Sequence, residues 1–306
     1  MAAPPPLPEL VLHGPPAGPS IVAAAAVEFG ALRAIAERVS FRVWRTPDEI
    51  RAGFASGKTA ASIVPTYVAG NLYNRGAGVR LVNTMTDGLL YVCGTDPTLD
   101  SIAALKGRTL AVPFRNDMPD HLLVAVTRAA GLEPGRDFTI EYAGTPPEAM
   151  QLLLAGRVEA ALLQEPGATA AIVRGTRAGK RVIRAIDMQK AWAKATGGSD
   201  IVPQAGLAVS AAFARDAGAE RIAALNAALV ETSAWVTANP ASAGKLAAAY
   251  LELPPPVIER SIPYSHLTVR SAAAARPALT ALFAVLLERD AAILGGRQPD
   301  DGFFVA

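Results

Sequence analysis

The chain has 306 residues, 51% of them hydrophobic and 18% charged, which is enough apolar side chain for a large core and excludes the disordered class. Twenty-nine Lys and Arg against 27 Asp and Glu leave a formal charge of +2, too weak a field for a polyanion, so no nucleic acid is expected as a partner. The single cysteine, Cys93, excludes an internal disulfide, and His13, His121 and His266 stand far apart and form no close-spaced ligand pair, so neither metal nor cofactor is expected.

The proline-rich opening MAAPPPLPEL reads as a tether or as the start of a mature chain. The hydrophobic pattern then predicts a strand at Glu9–His13, a Gly/Pro loop to Pro19, a helix from Ser20 to about Glu37 and a strand at Ser40–Trp44. A helix follows over Pro47–Ser56, then a strand at Ala60–Val64, a helix reaching about Tyr73, and strands at Val79–Asn83 and Gly88–Cys93. The longest apolar run, Ile21–Val27, falls well short of the roughly 18 residues that a bilayer span needs. Strands alternating with helices predict an α/β fold with a mostly parallel sheet.

An internal repeat organises this pattern, because residues 46–76 align with 145–175 at a constant offset of 99. TPDE meets TPPE, and the eight identities are Thr46/Thr145, Pro47/Pro146, Glu49/Glu148, Gly57/Gly156, Ala61/Ala160, Ala69/Ala168, Arg75/Arg174 and Gly76/Gly175. The same offset carries Ser40–Trp44 onto Thr139–Ala143, and the first strand, loop and helix onto Leu110–Ala130. Two copies of a βαβαβ unit predict two lobes facing a cleft. Residues 1–92 and 208–306 are expected to form lobe I, and 93–207 a nested lobe II, with Gly88–Cys93 and Gln204–Val209 as crossover strands. Helices at Ala219–Thr237, Ala241–Leu251, Pro255–Ile262 and Ser271–Leu294 are expected to pack on lobe I.

The string GFASGKT at Gly53–Thr59 has one residue too few for a phosphate loop and ends a helix instead of opening one, so Gly57 reads as a C-cap and Lys58 as a turn residue. Open α/β sheets bind ligands at the carboxyl ends of their strands, where turns lead into helix N-termini. The repeat therefore nominates four turns: 13–20 and 65–67 in lobe I, and 114–120 and 164–166 in lobe II. The ligand-binding candidates they carry are His13, Ser20, Thr66 and Tyr67, then Phe114, Arg115, Asn116, Asp117 and Glu165. Ser20, Asp117 and Asp120 also suit plain helix starts. Tyr67, Tyr73, Phe114 and Trp192 are candidate apolar walls. Arg115 suits an anion, whereas Asp117, Asp120 and Glu165 repel one, which leaves ligand charge open. No Ser/His or Cys/His arrangement is evident, and Cys93 lies in an apolar run that suits an inert buried thiol, so no catalytic residue is expected.

Three segments carry a family resemblance: DSIAALKGRTLAVPFRNDMPDHLL, AGLEPGRDFTIEYAGTPPEAMQLLLAGRVEAALLQEP and VPQAGLAVSAAF. They resemble the solute-binding proteins of ABC importers, in the nitrate/sulfonate/taurine group with its pyrimidine-precursor (NMT1/THI5-like) branch. The resemblance implies a type II periplasmic-binding-protein fold, with two lobes joined by two crossover strands and a small organic or oxyanion solute held in the interlobe cleft by lobe closure. It also implies an extracytoplasmic or periplasmic protein, here expected to be a monomer, that hands its solute to an ABC permease in the membrane. By the family pattern the loop after Thr109–Pro113 is a ligand loop, which carries over Phe114, Arg115, Asn116 and Asp117, with Glu165 in the "EP" element. RNDMPD replaces the small hydroxyl-rich stretch that sulfonate and taurine binders have there. The alternative is an enzyme on the same fold, a lyase, dehydratase or pyrimidine-precursor synthase acting on a small heterocycle with His13 or His121 as base. Cys93 matches neither the Cys-rich motif of the synthase nor the catalytic Cys of a desulfinase on this fold. Glu165→Ala and Asn116→Ala are both expected to weaken solute binding with little change in the melting temperature of the solute-free protein.

Overall fold

A computed structural model describes residues 6–305. The first five residues of the proline-rich opening lie outside the described residues, and the chain is already in a strand at Leu7. In chain order the elements are β1 (Leu7–Gly14), α1 (Pro19–Glu28), β2 (Ala36–Val43), α2 (Pro47–Ala55), β3 (Ala61–Pro65), α3 (Thr66–Asn74), β4 (Val79–Leu81) and β5 (Asn83–Thr86). Next come β6 (Leu90–Gly94), β7 (Thr109–Pro113), α4 (Met118–Ala129), β8 (Thr139–Ala143), α5 (Pro146–Ala155), β9 (Ala160–Gln164), α6 (Gly167–Arg177), β10 (Ile183–Asp187) and α7 (Met188–Thr196). The chain closes with β11 (Ala205–Ser210), α8 (Ala211–Ala238), α9 (Pro240–Leu251), α10 (Pro255–Ser261), β12 (Leu267–Ser271) and α11 (Ala272–Arg289). Among the described residues no helix is long and apolar enough to cross a membrane.

The chain divides into two compact units, one of Gly88–Val202 with Tyr264–His266, the other of the remaining chain. The divisions fall a few residues before the expected 92/93 and 207/208 because β6 lies wholly in the sheet of the second unit and β11 wholly in that of the first.

In the first unit the sheet order is β2-β1-β3-β11-β4. β1 pairs in parallel with β2 and β3, and β11 runs antiparallel to β3 and β4. The sheet is mixed, not mostly parallel, because the chain re-enters it through β11 from the opposite end. The core lies where Leu10, Leu12, Ile63, Leu207 and Val209 meet α1, a helix buried from Pro19 to Ala26 beneath Leu225 and Leu229 of α8 and Ala243 and Ala247 of α9. Its run of four alanines lets three neighbours approach one helix closely, and each fully buried Leu or Ile in their midst adds about 1.5–3 kcal/mol. The helix stops at Glu28, far short of Glu37, because Gly30 takes a left-handed φ of 66° and the chain turns through residues 29–35 into β2. Near its start α8 bends at Gly218 (φ 76°, ψ 162°), and the straight part beyond it matches the helix expected from Ala219.

In the second unit the sheet order is β8-β7-β9-β6-β10, with β7 parallel to β8 and β9 and β6 antiparallel to β9 and β10, so strand for strand it repeats the first. The TPDE and TPPE repeats are matching helix starts. Thr46 and Thr145 are N-caps whose hydroxyls accept from the amides of Glu49 and Glu148, and those glutamates turn back to accept from the amides of Arg45 and Gly144 at 3.0 and 2.8 Å. After α2, Gly57 takes a left-handed φ of 73° beyond the Ser56 cap, which makes GFASGKT a helix end.

The offset of 99 does not extend to the first strand. Leu12 faces Phe41 and Ala61 while Leu110 faces Ile140 and Ala160, so β1 matches β7 at an offset of 98, and β2 and β3 match β8 and β9 at 99. The extra residue is Pro113, which pairs with Ala143 and carries β7 one step further than β1, and each turn proper spans four residues, 15–18 and 114–117.

Candidate functional site

In the first unit Gly14 ends β1 at a point where a Cβ would lie 2.5 Å from the Ser20 hydroxyl oxygen, so only glycine lets α1 start this close to the strand. Ser20 is fully buried and donates its hydroxyl to the Pro15 carbonyl at 2.5 Å, which closes the turn and makes it a turn-former. His13 is half-buried beside Ser62 on β3, and burial lowers the pKa of its imidazole. Thr66 is buried where β3 passes into α3, donating its hydroxyl to the Pro203 carbonyl at 2.7 Å and its amide to the Gln204 carbonyl at 3.0 Å. Tyr67 is buried on α3 and its hydroxyl accepts from Arg51 at 2.7 Å. Tyr73, expected as a wall of the same turn, sits instead near the far end of α3, where it donates to Asp300 and packs on Phe303.

In the second unit the turn after β7 holds two non-glycine residues in the left-handed region, Phe114 (φ 57°) and Asn116 (φ 60°). Asp117 caps α4, its carboxylate accepting from the Met118 amide at 2.7 Å. Asp120, fully buried one turn on, accepts from the Asn116 amide at 3.0 Å and from the Tyr142 hydroxyl at 3.1 Å. The Arg115 guanidinium lies 5.0 Å from the centre of the Tyr142 ring. Two acids thus hold the left-handed loop in shape, while Arg115 stays over an aromatic face on β8. Trp192 is buried in α7 and Cys93 in β6, where desolvation pushes the thiol upward and leaves it protonated at neutral pH.

Glu165 follows β9 and is fully buried. Oε2 accepts from the amide and hydroxyl of Thr169 at 3.0 and 2.8 Å; Oε1 accepts from Nε of Arg184 at 2.6 Å and also from its Nη2. Burial pushes its carboxyl upward, and the Arg184 charge and the Thr169 hydrogen bonds pull it back. The lone pairs of this carboxylate are engaged within the protein, so Glu165 shapes the turn and leaves little acceptor capacity for a ligand.

Arg184, Tyr91, Tyr264 and His266 complete this cluster and were missed in the sequence. The Arg184 guanidinium stacks 3.6 Å from the centre of Tyr264 and 5.5 Å from that of Tyr91, and its Nη2 donates to the Thr169 hydroxyl at 2.6 Å. The Tyr91 hydroxyl donates to the Tyr264 carbonyl at 2.9 Å and lies 3.0 Å from His266 Nε2. RVIRAID has the alternation of a strand and carries the arginine, but nothing in the chain pattern joins it to residues some eighty positions further on.

The sequence profile of the NMT1-like family matches residues 47–251, and the chain belongs to that family. No curated protein sequence matches it. Among solved structures it resembles an ABC transporter from Parabacteroides distasonis at 22% identity, with a TM-score of 0.78 over 97% of this chain and 98% of that one. It also resembles the periplasmic aliphatic sulphonate binding protein SsuA from Escherichia coli, at 18% identity and a TM-score of 0.75 over 99% and 98% of the chains. The periplasmic nitrate-binding protein NrtA from Synechocystis PCC 6803 matches at 14% identity and a TM-score of 0.65, over 85% and 71%. The fold is the type II periplasmic-binding fold expected from the resemblance.

Proposed function

We propose that this chain is the extracytoplasmic solute-binding component of an ABC importer, capturing a small polar or anionic solute at its strand-end turns and passing it unchanged to a membrane permease. One observation carries the reading: both units repeat one sheet order, and in each the turns after the first and third parallel strands lead into helix N-termini, the place where open α/β sheets hold ligands. The named neighbours, one a sulphonate and one a nitrate binder, support it. Phe114, Arg115 and Asn116 are proposed as the solute-facing residues of the turn after β7, with His13 and Tyr67 on the first unit. The buried Cys93 offers no nucleophile, which favours binding over a thiol-based enzyme.

Titration of the purified chain with short alkanesulfonates, nitrate and pyrimidines, followed by calorimetry and by mass analysis of the recovered solute, tests this. Saturable binding with solute of unchanged mass is expected. A solute converted to a new mass establishes the enzyme alternative instead.

A further inference from the structure

We propose that Gln204 is a solute-recognition residue, its carboxamide donating to an oxygen of a solute oxyanion beside the start of α3. This rests on the solute-binding reading and names the chemical group bound at the first unit. Gln204 is 5% exposed, yet its Nε2 has no hydrogen-bond partner among the described residues. Buried amide donors are almost always paired, and one left unpaired costs stability. The residue stands at the ligand edge of its sheet. β11 starts at Ala205 opposite Pro65, the last residue of β3, and the Gln204 carbonyl accepts from the Thr66 amide where α3 begins. That helix start has no side-chain cap and no acidic residue in its first turn, so its dipole favours the same negative group that the amide would meet.

The duplication supplies an internal control. In the second unit the Glu165 amide donates to the Leu89 carbonyl at 3.0 Å, as the Thr66 amide does to Gln204. Leucine fills the equivalent position there and is equally buried, at 5%. The fold therefore accepts an apolar side chain at this point, and packing alone does not call for an amide.

The test is calorimetry of the parent, Gln204→Leu and Gln204→Glu with butanesulfonate, nitrate and acetate, uracil as the neutral control, and the solute-free melting temperature of each protein. The parent is expected to bind at least one oxyanion. Gln204→Leu should weaken that binding roughly tenfold to a hundredfold with no fall in melting temperature, and Gln204→Glu should abolish it by setting an acceptor against an acceptor. Gln204→Leu carries the test alone if the buried glutamate prevents folding. Oxyanion binding unchanged in Gln204→Leu overturns the assignment and leaves the solute-binding reading standing, as does a parent that binds uracil alone. A lower melting temperature with unaltered affinity assigns Gln204 a structural role and overturns it too. A parent that binds none of the four overturns it, and the wider panel of pyrimidines and sulfonates then decides the solute-binding reading separately.

Discussion

Arg184 meets Glu165 through Nε at 2.6 Å, with the carboxylate fully buried and the guanidinium pressed onto the ring of Tyr264. Removing one member of such a pair strands the other charge, which costs about 3–5 kcal/mol. Glu165→Ala is therefore expected to lower stability by about 3 kcal/mol in urea unfolding. This revises the expectation that the substitution leaves the solute-free protein unmoved. The mirror substitution, Arg184→Leu, acts through pH. It frees the carboxyl to rise further above its ordinary 4.5, and a group raised in the folded state stabilises at low pH and loses that contribution as pH rises. The deficit of Arg184→Leu against the parent should widen between about pH 4.5 and pH 7, and a constant gap would contradict the burial argument.

His13 gives the opposite sign. Burial is the main cause of its lowered pKa, and the Arg42 charge adds to it, while the Ala61 backbone and Glu49 oppose it. A folded state that binds the proton less tightly than the unfolded chain is stabilised above the ordinary value of 6.5, and that contribution is lost as pH falls through the lowered one. Urea midpoints at about pH 7.5 and about pH 5.5 should differ more in the parent than in His13→Gln.

The helix caps of the repeat are independent of any solute. Thr46 and Thr145 each satisfy an amide of the first turn, so Thr46→Ala and Thr145→Ala are each expected to cost about 1 kcal/mol, read as a shift in the urea midpoint. Serine at either position should restore most of the loss.

These caps mark what the sequence made legible. Periodicity located β1, α2 and β3, and TPDE against TPPE exposed the duplication, because such signals are local. The sequence pattern carries α1 too far because alanine, leucine and arginine after Gly30 are good helix formers, and only the left-handed glycine and the demands of β2 stop it. The Glu165 cluster was only half legible, since Arg184, Tyr91 and Tyr264 converge from distant segments. Gln204 was hidden more deeply, because an unpaired amide is a property of the folded surroundings and not of a chain pattern.

Two residues beyond Gln204, Gly206 faces a different constraint. A Cβ there would lie 2.0 Å from the carbonyl oxygen of Asn83, whose side chain also accepts from the Leu207 amide at 3.0 Å and donates to Asn226 at 2.9 Å. The obstacle is a backbone carbonyl of a residue whose side chain is tied at both ends, so it does not yield as the end of a flexible side chain would. Gly206→Ala should therefore cost about 3 kcal/mol, at the upper end of overpacking effects, whereas Ala208→Gly in the same strand should cost about 1 kcal/mol. Similar losses from the two substitutions would contradict the close approach.

Asn116 offers a way to separate loop shape from solute contact. Its φ of 60° is one that asparagine tolerates, glycine accepts freely and alanine resists by about 1 kcal/mol. Its backbone amide, held by Asp120, survives any of these changes. Contrary to the expectation from the sequence, Asn116→Ala should therefore lower the melting temperature, while Asn116→Gly should keep it close to the parent. If the carboxamide touches solute, both variants lose affinity, and the glycine variant does so in a loop of unaltered geometry. Full affinity in Asn116→Gly would limit Asn116 to shaping the turn and leave Phe114 and Arg115 as the solute-facing residues after β7.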